Sequence, residues 1–176
     1  MQHFTNENID LDQLPKYQEI VLTAPDKKYW KVIVINTCIF LFVIGTGLGI
    51  FLWLNVHVKP YIYPIIGGFL IFTILLFLIH RASFKKRGFA LREKDMVYKS
   101  GIIAEKTSIV PLNRIQHVAL DEGVFSRMYG LATLEIHTAG GSAGHMHIAG
   151  IPVEKANVIK EALLKRIDLL ESLAVD

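Results

Sequence analysis

The sequence predicts a membrane α-helical hairpin followed by a small α+β domain, mostly antiparallel β-sheet, that a C-terminal helix closes. Three observations predict this fold class. Two apolar runs without Asp, Glu, Lys or Arg, residues 32–56 and 60–79, are each long enough to cross a bilayer, which takes about 20 apolar residues. Short segments bounded by turn residues follow them, as in antiparallel sheets. Beyond Pro152, apolar residues recur every three or four positions, which is typical of an amphipathic helix.

These patterns divide the chain into three parts. We expect a polar N-terminal segment at 1–31, the hairpin at 32–80, and a domain at 81–176 whose terminal helix starts at about residue 152. The first run is too long and starts too late for a secretory signal peptide, whose apolar region has about 7 to 15 residues. Because neither run contains Asp, Glu, Lys or Arg, a self-contained channel or carrier is not expected.

Basic residues flank the two apolar runs unevenly. Seven lysines and arginines stand near the outer ends of the runs, whereas Lys59 alone occupies the link between them. Basic flanks are retained in the cytoplasm. We therefore expect a multi-pass membrane protein with both termini cytoplasmic.

A basic cluster follows the second run, and it has two interpretations. It either sets the topology alone or also contacts anionic lipid headgroups, where each Lys or Arg contributes about 1 kcal/mol. Nucleic acid is not an expected partner, because a broad basic face with interleaved aromatic residues is absent. The candidate lipid contacts are Arg81, Lys85, Lys86, Arg87, Arg92 and Lys94.

Glycines interrupt both apolar runs. Gly45 and Gly49 share one face of the first helix, and Gly67 and Gly68 lie in the second. Small residues let membrane helices approach closely. The pattern indicates either packing within the hairpin or a seam between two copies of the chain.

The segment after Arg87 predicts a small sandwich or barrel. Candidate strands are residues 88–91, 96–99, 102–110, 115–121, 132–138 and 144–148, with turns at 100–101 and 139–143. A C-terminal helix laid on so short a sheet would close its core. Leu164, Leu169 and Leu173 widen the apolar stripe of that helix, for tighter packing or for a partner helix. Residues 20–23 would either add an edge strand or lie loose on the surface.

Histidines gather on the last predicted hairpin. If Leu134, Ile136, Met146 and Ile148 face the core, the alternate positions point outward together. His137 would then oppose His145, and Glu135 would oppose His147. The surface is either a plain solvated face, a pH-sensitive contact or, because imidazole and carboxylate bind zinc, a metal site. The outward positions are Glu135, His137, His145 and His147.

Three segments in the second half of the chain resemble a known family. They read VPLNRIQHV at 110–118, RMYGLATL at 127–134 and HTAGG at 137–141, and IAGIP at 148–152 extends them. In order and spacing they resemble the bacterial PH-like domain of the YdbS-type membrane proteins. With the hairpin, the resemblance covers nearly the whole chain from about Pro25.

The resemblance implies a PH-like fold, a bent antiparallel sandwich closed by a C-terminal helix and tethered to the bacterial inner membrane by two helices. It also implies a membrane-protein partner that repeats related PH-like domains, and a hypothetical role in envelope stress or antimicrobial tolerance. Phosphoinositide recognition is not carried over, because the turn near residues 100–101 offers only Lys99 and Lys106.

Three polar residues in the resembling segments are candidate partner contacts: Arg114, Gln116 and Arg127. Arg114 and Gln116 would share one face of a strand, because side chains alternate. The alternative is structural, with Arg114 donating to carbonyls or to a carboxylate such as Asp121 or Glu122 at a buried edge.

The sequence has no Ser-His-Asp set, phosphate-binding loop or helical zinc motif, so we expect neither an enzyme nor a cofactor. Two functions are compatible with the sequence. One is a non-catalytic scaffold that docks a membrane protein or a second copy of itself. The other is a module that contacts membrane lipids. An accessory subunit of an exporter is a remoter alternative.

Overall fold

Two long helices and a short link form the first part of the structure, a computed structural model that describes residues 20–102, 104–138 and 145–175. Helix α1 spans Tyr29–Leu54, a 3-10 helix covers Val56–Tyr61, and helix α2 spans Ile62–Lys86. Both helices are long and apolar enough to cross a membrane. Both also extend beyond the predicted runs, α1 by three residues at its start and α2 by seven at its end. We call α1 and α2 the hairpin.

Hydroxyl groups in the hairpin bond within their own helices. Thr37, Thr46 and Thr73 each donate to the carbonyl four residues earlier, at 2.7, 2.8 and 2.9 Å. A polar group in hydrocarbon needs an internal partner. These threonines are therefore compatible with an apolar surrounding.

Only one of the four predicted packing glycines meets the opposite helix. A Cβ at Gly45 would lie 3.5 Å from Cζ of Phe69 on α2. At Gly49, Gly67 and Gly68 a Cβ would have no heavy atom within 4 Å among the described residues. Close packing within the hairpin therefore accounts for Gly45 alone.

Two three-stranded antiparallel sheets follow the hairpin. The first contains β1 (Gly88–Leu91), β2 (Asp95–Ser100) and β3 (Lys106–Pro111) in that order. The second contains β4 (Ile115–Asp121), β5 (Leu131–Thr138) and β6 (His145–Pro152). Between β4 and β5 lies the short helix α3 (Val124–Met128), and α4 (Val153–Val175) ends the fold.

Two predicted strands need correction. β3 begins at Lys106 rather than at residue 102, because a tight turn precedes it: Gly101 has φ +112°, and a Cβ there would lie 2.1 Å from the carbonyl oxygen of Ala104. β6 continues to Pro152, four residues past the predicted end. The predicted turn at 139–143 lies outside the described residues.

The hydrophobic core lies between the two sheets and α4. Leu134, Ile136 and Ile148 are fully buried on the second sheet, and Met96 is buried on the first. Helix α4 presents an apolar stripe at three- and four-residue spacing, as predicted. Full burial of a Leu, Ile or Met side chain contributes about 1.5–3 kcal/mol. The stripe residues are Ala156, Ile159 and Leu163.

The segment before α1 joins the sheets rather than lying loose. Thr23 and Phe89 exchange backbone hydrogen bonds of 2.8 and 2.9 Å, so the segment adds a bridge to the outer edge of β1. Asp26 donates its N–H to the carbonyl of Gly150 at 2.8 Å. These bonds fasten the start of α1 to both sheets.

Candidate functional site

A cavity of about 440 Å³ lies where the hairpin meets the sheets. We call it the junction cavity. Helix α1 lines it with Tyr29, Ile33, Asn36, Thr37 and Phe40. The other side is formed by Leu76, His80 and Arg87. Polar and apolar groups therefore face the same space, and no carboxylate is among the lining residues.

Arg87 is the most unusual residue of the junction cavity. It follows the last residue of α2 and precedes β1, so both elements fix its backbone. Its Nε is buried and has no hydrogen-bond partner in the part of the chain that the structure describes. Burial raises the pKa of the nearby Tyr98, and the positive charge of Arg87 opposes that rise. The site thus holds a cation with an unsatisfied donor.

The neighbouring Lys86 is committed to the first sheet. Its Nζ lies 3.1 Å from Oε1 of Glu105 and donates to the carbonyl of Ile102 at 3.0 Å. Lys99 also contacts Glu105, at 2.8 Å. Hydrogen bonds from Lys99 and Lys86 lower the pKa of Glu105. This ion-pair cluster joins the end of α2 to β2.

The other predicted lipid contacts have different surroundings. Arg81 lies over the ring of Trp30, 5.3 Å from its centroid, and Lys85 is exposed. Arg92 pairs with Asp95, whose hydrogen bond raises the pKa of the guanidinium. Lys94 lines a separate cavity of about 300 Å³ between the sheets and α4. Two of the six residues, Lys86 and Arg92, are thus paired with carboxylates, and lipid contact by the six stays a prediction.

Comparison with known proteins gives the family. The sequence model of the bacterial PH domain family (bPH_2) matches residues 32–167, which include most of the hairpin and both sheets. The chain belongs to the bacterial PH domain family. The predicted PH-like fold, two antiparallel sheets closed by a C-terminal helix behind two apolar helices, is confirmed.

Two curated relatives come from Bacillus subtilis (strain 168). The chain is 28% identical to the UPF0699 transmembrane protein YdbT over 103 residues, which is 57% of this chain and 21% of YdbT. It is 29% identical to the UPF0699 transmembrane protein YdbS over 90 residues, which is 51% of this chain and 55% of YdbS. The chain thus spans about a fifth and about half of these relatives. No solved structure matches the chain significantly.

The three candidate partner contacts of this bacterial PH domain lie on three different elements. Arg114 lies in a 3-10 turn at Leu112–Arg114, and only Gln116 lies on β4, next to a bulge. The expected shared strand face is wrong, because the chain turns after Pro111 before β4 begins. Arg114 is exposed and pairs with neither Asp121 nor Glu122 in the described residues. The two suggested carboxylate partners are therefore not observed, and partner contact by Arg114 stays a prediction.

Arg127 lies on α3, which sequence analysis missed as an element. Val124 and Met128 of α3 are each 75% exposed, and α3 contacts α1. Lys31 of α1 lies 5.9 Å from the ring centroid of Tyr129, just after α3. The sequence does show apolar Val124 and Met128 at positions i and i+4. A helix of five residues gives too short a pattern to be recognised from them.

The histidine surface pairs as predicted. His137 lies opposite His145, with ring centroids 4.6 Å apart, and Nδ1 of His147 lies 3.1 Å from Oε1 of Glu135. His117 on β4 faces His137 as well, at 5.8 Å between centroids, and sequence analysis did not include it. Within residues 20–102, 104–138 and 145–175, no three potential ligands are arranged to hold a metal ion.

The missed feature with the clearest chemistry is the junction cavity. Asn36, Thr37 and His80 are polar residues within or directly after the predicted apolar runs, and this was the available signal. Their common location depends on how α1 and α2 cross, which sequence periodicity does not give. The cavity can accept a hydrogen-bond acceptor at Arg87 and apolar groups farther along the hairpin.

Proposed function

We propose that this bacterial PH domain protein is a non-catalytic adaptor of the bacterial inner membrane. In this proposal α1 and α2 cross the membrane, both termini are cytoplasmic, and the sheets assemble with a membrane protein that carries related PH-like domains. The basic flanks of the hairpin support this orientation, with Lys59 alone in the link. A role in envelope stress or antimicrobial tolerance would follow from that assembly.

The free edge of β3 is the observation that carries the adaptor proposal. In the first sheet, Thr23 covers the outer edge of β1, whereas β3 has no partner on its outer side among the described strands. An unpaired edge strand is a template for a strand from another chain. Ile109 of β3 is 42% exposed, which adds an apolar contact to this edge.

A pull-down from native membranes in mild detergent tests the adaptor proposal. We expect a tagged full-length chain to recover one membrane protein in near-stoichiometric amount, and Ile109→Lys to reduce that recovery at least fivefold. Leu91→Lys is the matched control, because Leu91 is 38% exposed on the opposite edge of the same sheet. Recovery of the chain without a protein partner, or equal loss with both variants, would contradict the proposal.

Contact with membrane lipids is the second candidate function, and the unsatisfied Nε of Arg87 favours it. A buried cationic donor calls for an anionic acceptor. At a membrane surface the abundant anionic acceptors are lipid phosphates. Enrichment of anionic lipid in the same pull-down would support this candidate.

A further inference from the structure

We infer that the junction cavity binds one anionic phospholipid, with its phosphate at Arg87 and an acyl chain along Phe40 and Leu76. This inference deepens the lipid candidate above and rests on it. It does not depend on the edge of β3. Three properties of the cavity support the inference: the separation of its charged and apolar ends, its single cation and its open side.

The cavity has its charged residue at one end and large apolar side chains at the other, with Asn36 and Thr37 between them. Tyr29 is the first residue of α1 and Arg87 directly follows α2, so both lie at the same end of the hairpin. Phe40 and Leu76 each lie eleven residues farther into their helices. At about 1.5 Å per residue, the cavity therefore descends roughly 16 Å along the hairpin. A phospholipid has the same gradient from phosphate to chain.

The charge of the lining selects an anion. Among the described residues that line the junction cavity, Arg87 alone is a Lys, Arg, Asp or Glu. Its Nε lacks a hydrogen-bond acceptor in the described part of the chain. A buried donor without a partner destabilises the fold, and a charged one does so more. A guanidinium binds phosphate through two parallel hydrogen bonds. Bound phosphate would supply the counter-charge that the lining lacks, and a turn of the guanidinium would let the buried Nε donate to it as well.

The open side of the cavity favours a lipid over a small soluble anion. Asn36 and Phe40 are exposed at its rim, so a chain can leave the cavity into the surrounding hydrocarbon. The volume of about 440 Å³ lies within the usual range for small-molecule sites, about 300–1,000 Å³. It is enough for a headgroup region and part of one chain.

Native mass spectrometry of the full-length protein in mild detergent tests the site. We expect one retained phosphatidylglycerol per chain, at least fivefold more occupied than phosphatidylcholine at equal concentration. Arg87→Gln should lower phosphatidylglycerol occupancy at least fivefold. Lys85→Gln is the matched control, because Lys85 carries the same charge two residues earlier, is exposed and does not line the cavity. It should change occupancy less than twofold.

A second pair of variants keeps the charge and fills the cavity. Leu76→Trp should also displace phosphatidylglycerol, whereas Leu75→Trp should not, because Leu75 is 52% exposed and lies outside the lining. This pair keeps the test decisive if Arg87→Gln lowers the yield of folded protein.

The outcomes separate the site from the broader lipid candidate. No preference for phosphatidylglycerol in the unchanged protein would overturn both. A preference that Lys85→Gln removes and Arg87→Gln retains would overturn the site alone. Displacement of the lipid by inorganic phosphate at equal concentration would make the ligand a free anion. A lipid-free dimer would make the occupant a second copy, and either result would overturn the lipid assignment.

Discussion

The hairpin exposes most of its apolar side chains, whereas the two sheets bury theirs. Helix α2 has no buried residue, and large apolar groups such as Phe42 and Trp53 in α1 are exposed. The sheets and α4 instead enclose a continuous core. The hairpin therefore needs lipid or another apolar partner as its solvent, whereas the sheets can exclude water by themselves. We therefore expect the functional residues among the polar side chains at the boundary between the two regions.

Matched truncations in the two regions should show the largest difference. We expect Leu134→Ala to destabilise the sheets by about 2–5 kcal/mol, because Leu134 is fully buried and a cavity would remain. Leu70→Ala in α2 should cost much less, because Leu70 is 56% exposed. Thermal unfolding in nanodiscs, followed by the β-sheet circular dichroism signal, measures both. Equal destabilisation by the two variants would contradict the comparison.

Gly150 tests how firmly the boundary joins the two regions. Its φ is +82°, and a Cβ there would lie 2.6 Å from Cγ of Tyr29 at the start of α1. We expect Gly150→Ala to cost about 1–3 kcal/mol from the backbone conformation and to move Tyr29 as well. Gly123→Ala is the control, because its Cβ would have no neighbour within 4 Å in the described chain. Equal melting temperatures for the two variants would show that the boundary is loose.

Glu105 should give the smallest effect, and one that depends on pH. Hydrogen bonds from Lys99 and Lys86 lower its pKa, so its stabilisation is present above the unfolded value, about 4.3. It is lost as the pH falls through the lower folded value. Glu105→Gln should therefore lower the melting temperature slightly at pH 7, and the difference should shrink towards pH 3. Glu122→Gln, an exposed control, should leave it unchanged; a Glu105 effect that stays the same size as the pH falls would contradict this account.

Sequence patterns predicted the parts of this fold that depend on local periodicity. The two apolar runs, β1 and β4 lie where periodicity placed them, and the buried set on β5 and β6 also gave the pairing of His137 with His145. The predicted start of β3 was wrong because the chain at Gly101 turns back close to the carbonyl of Ala104, so pairing with β2 resumes only at Lys106.

Sequence patterns failed where a site depends on contacts between elements. A bulge after Ile115 brings His117 opposite His137. The alternation of apolar and polar residues does not predict this bulge. The sequence also did not show that Glu105 and Asp95 pair with two of the six basic residues, Lys86 and Arg92. Arg87 lines the junction cavity because it lies between the end of α2 and the start of β1, which the charge pattern of the sequence does not show.

Site-specific photo-crosslinking in living cells tests the adaptor proposal most directly. A photoreactive amino acid at Ile109, on the free edge of β3, should crosslink one membrane protein that carries related PH-like domains. The same amino acid at Leu91 should not, because that edge adjoins the segment before α1. No crosslink at Ile109, or the same product from both positions, would contradict the proposal that this edge assembles with a membrane partner.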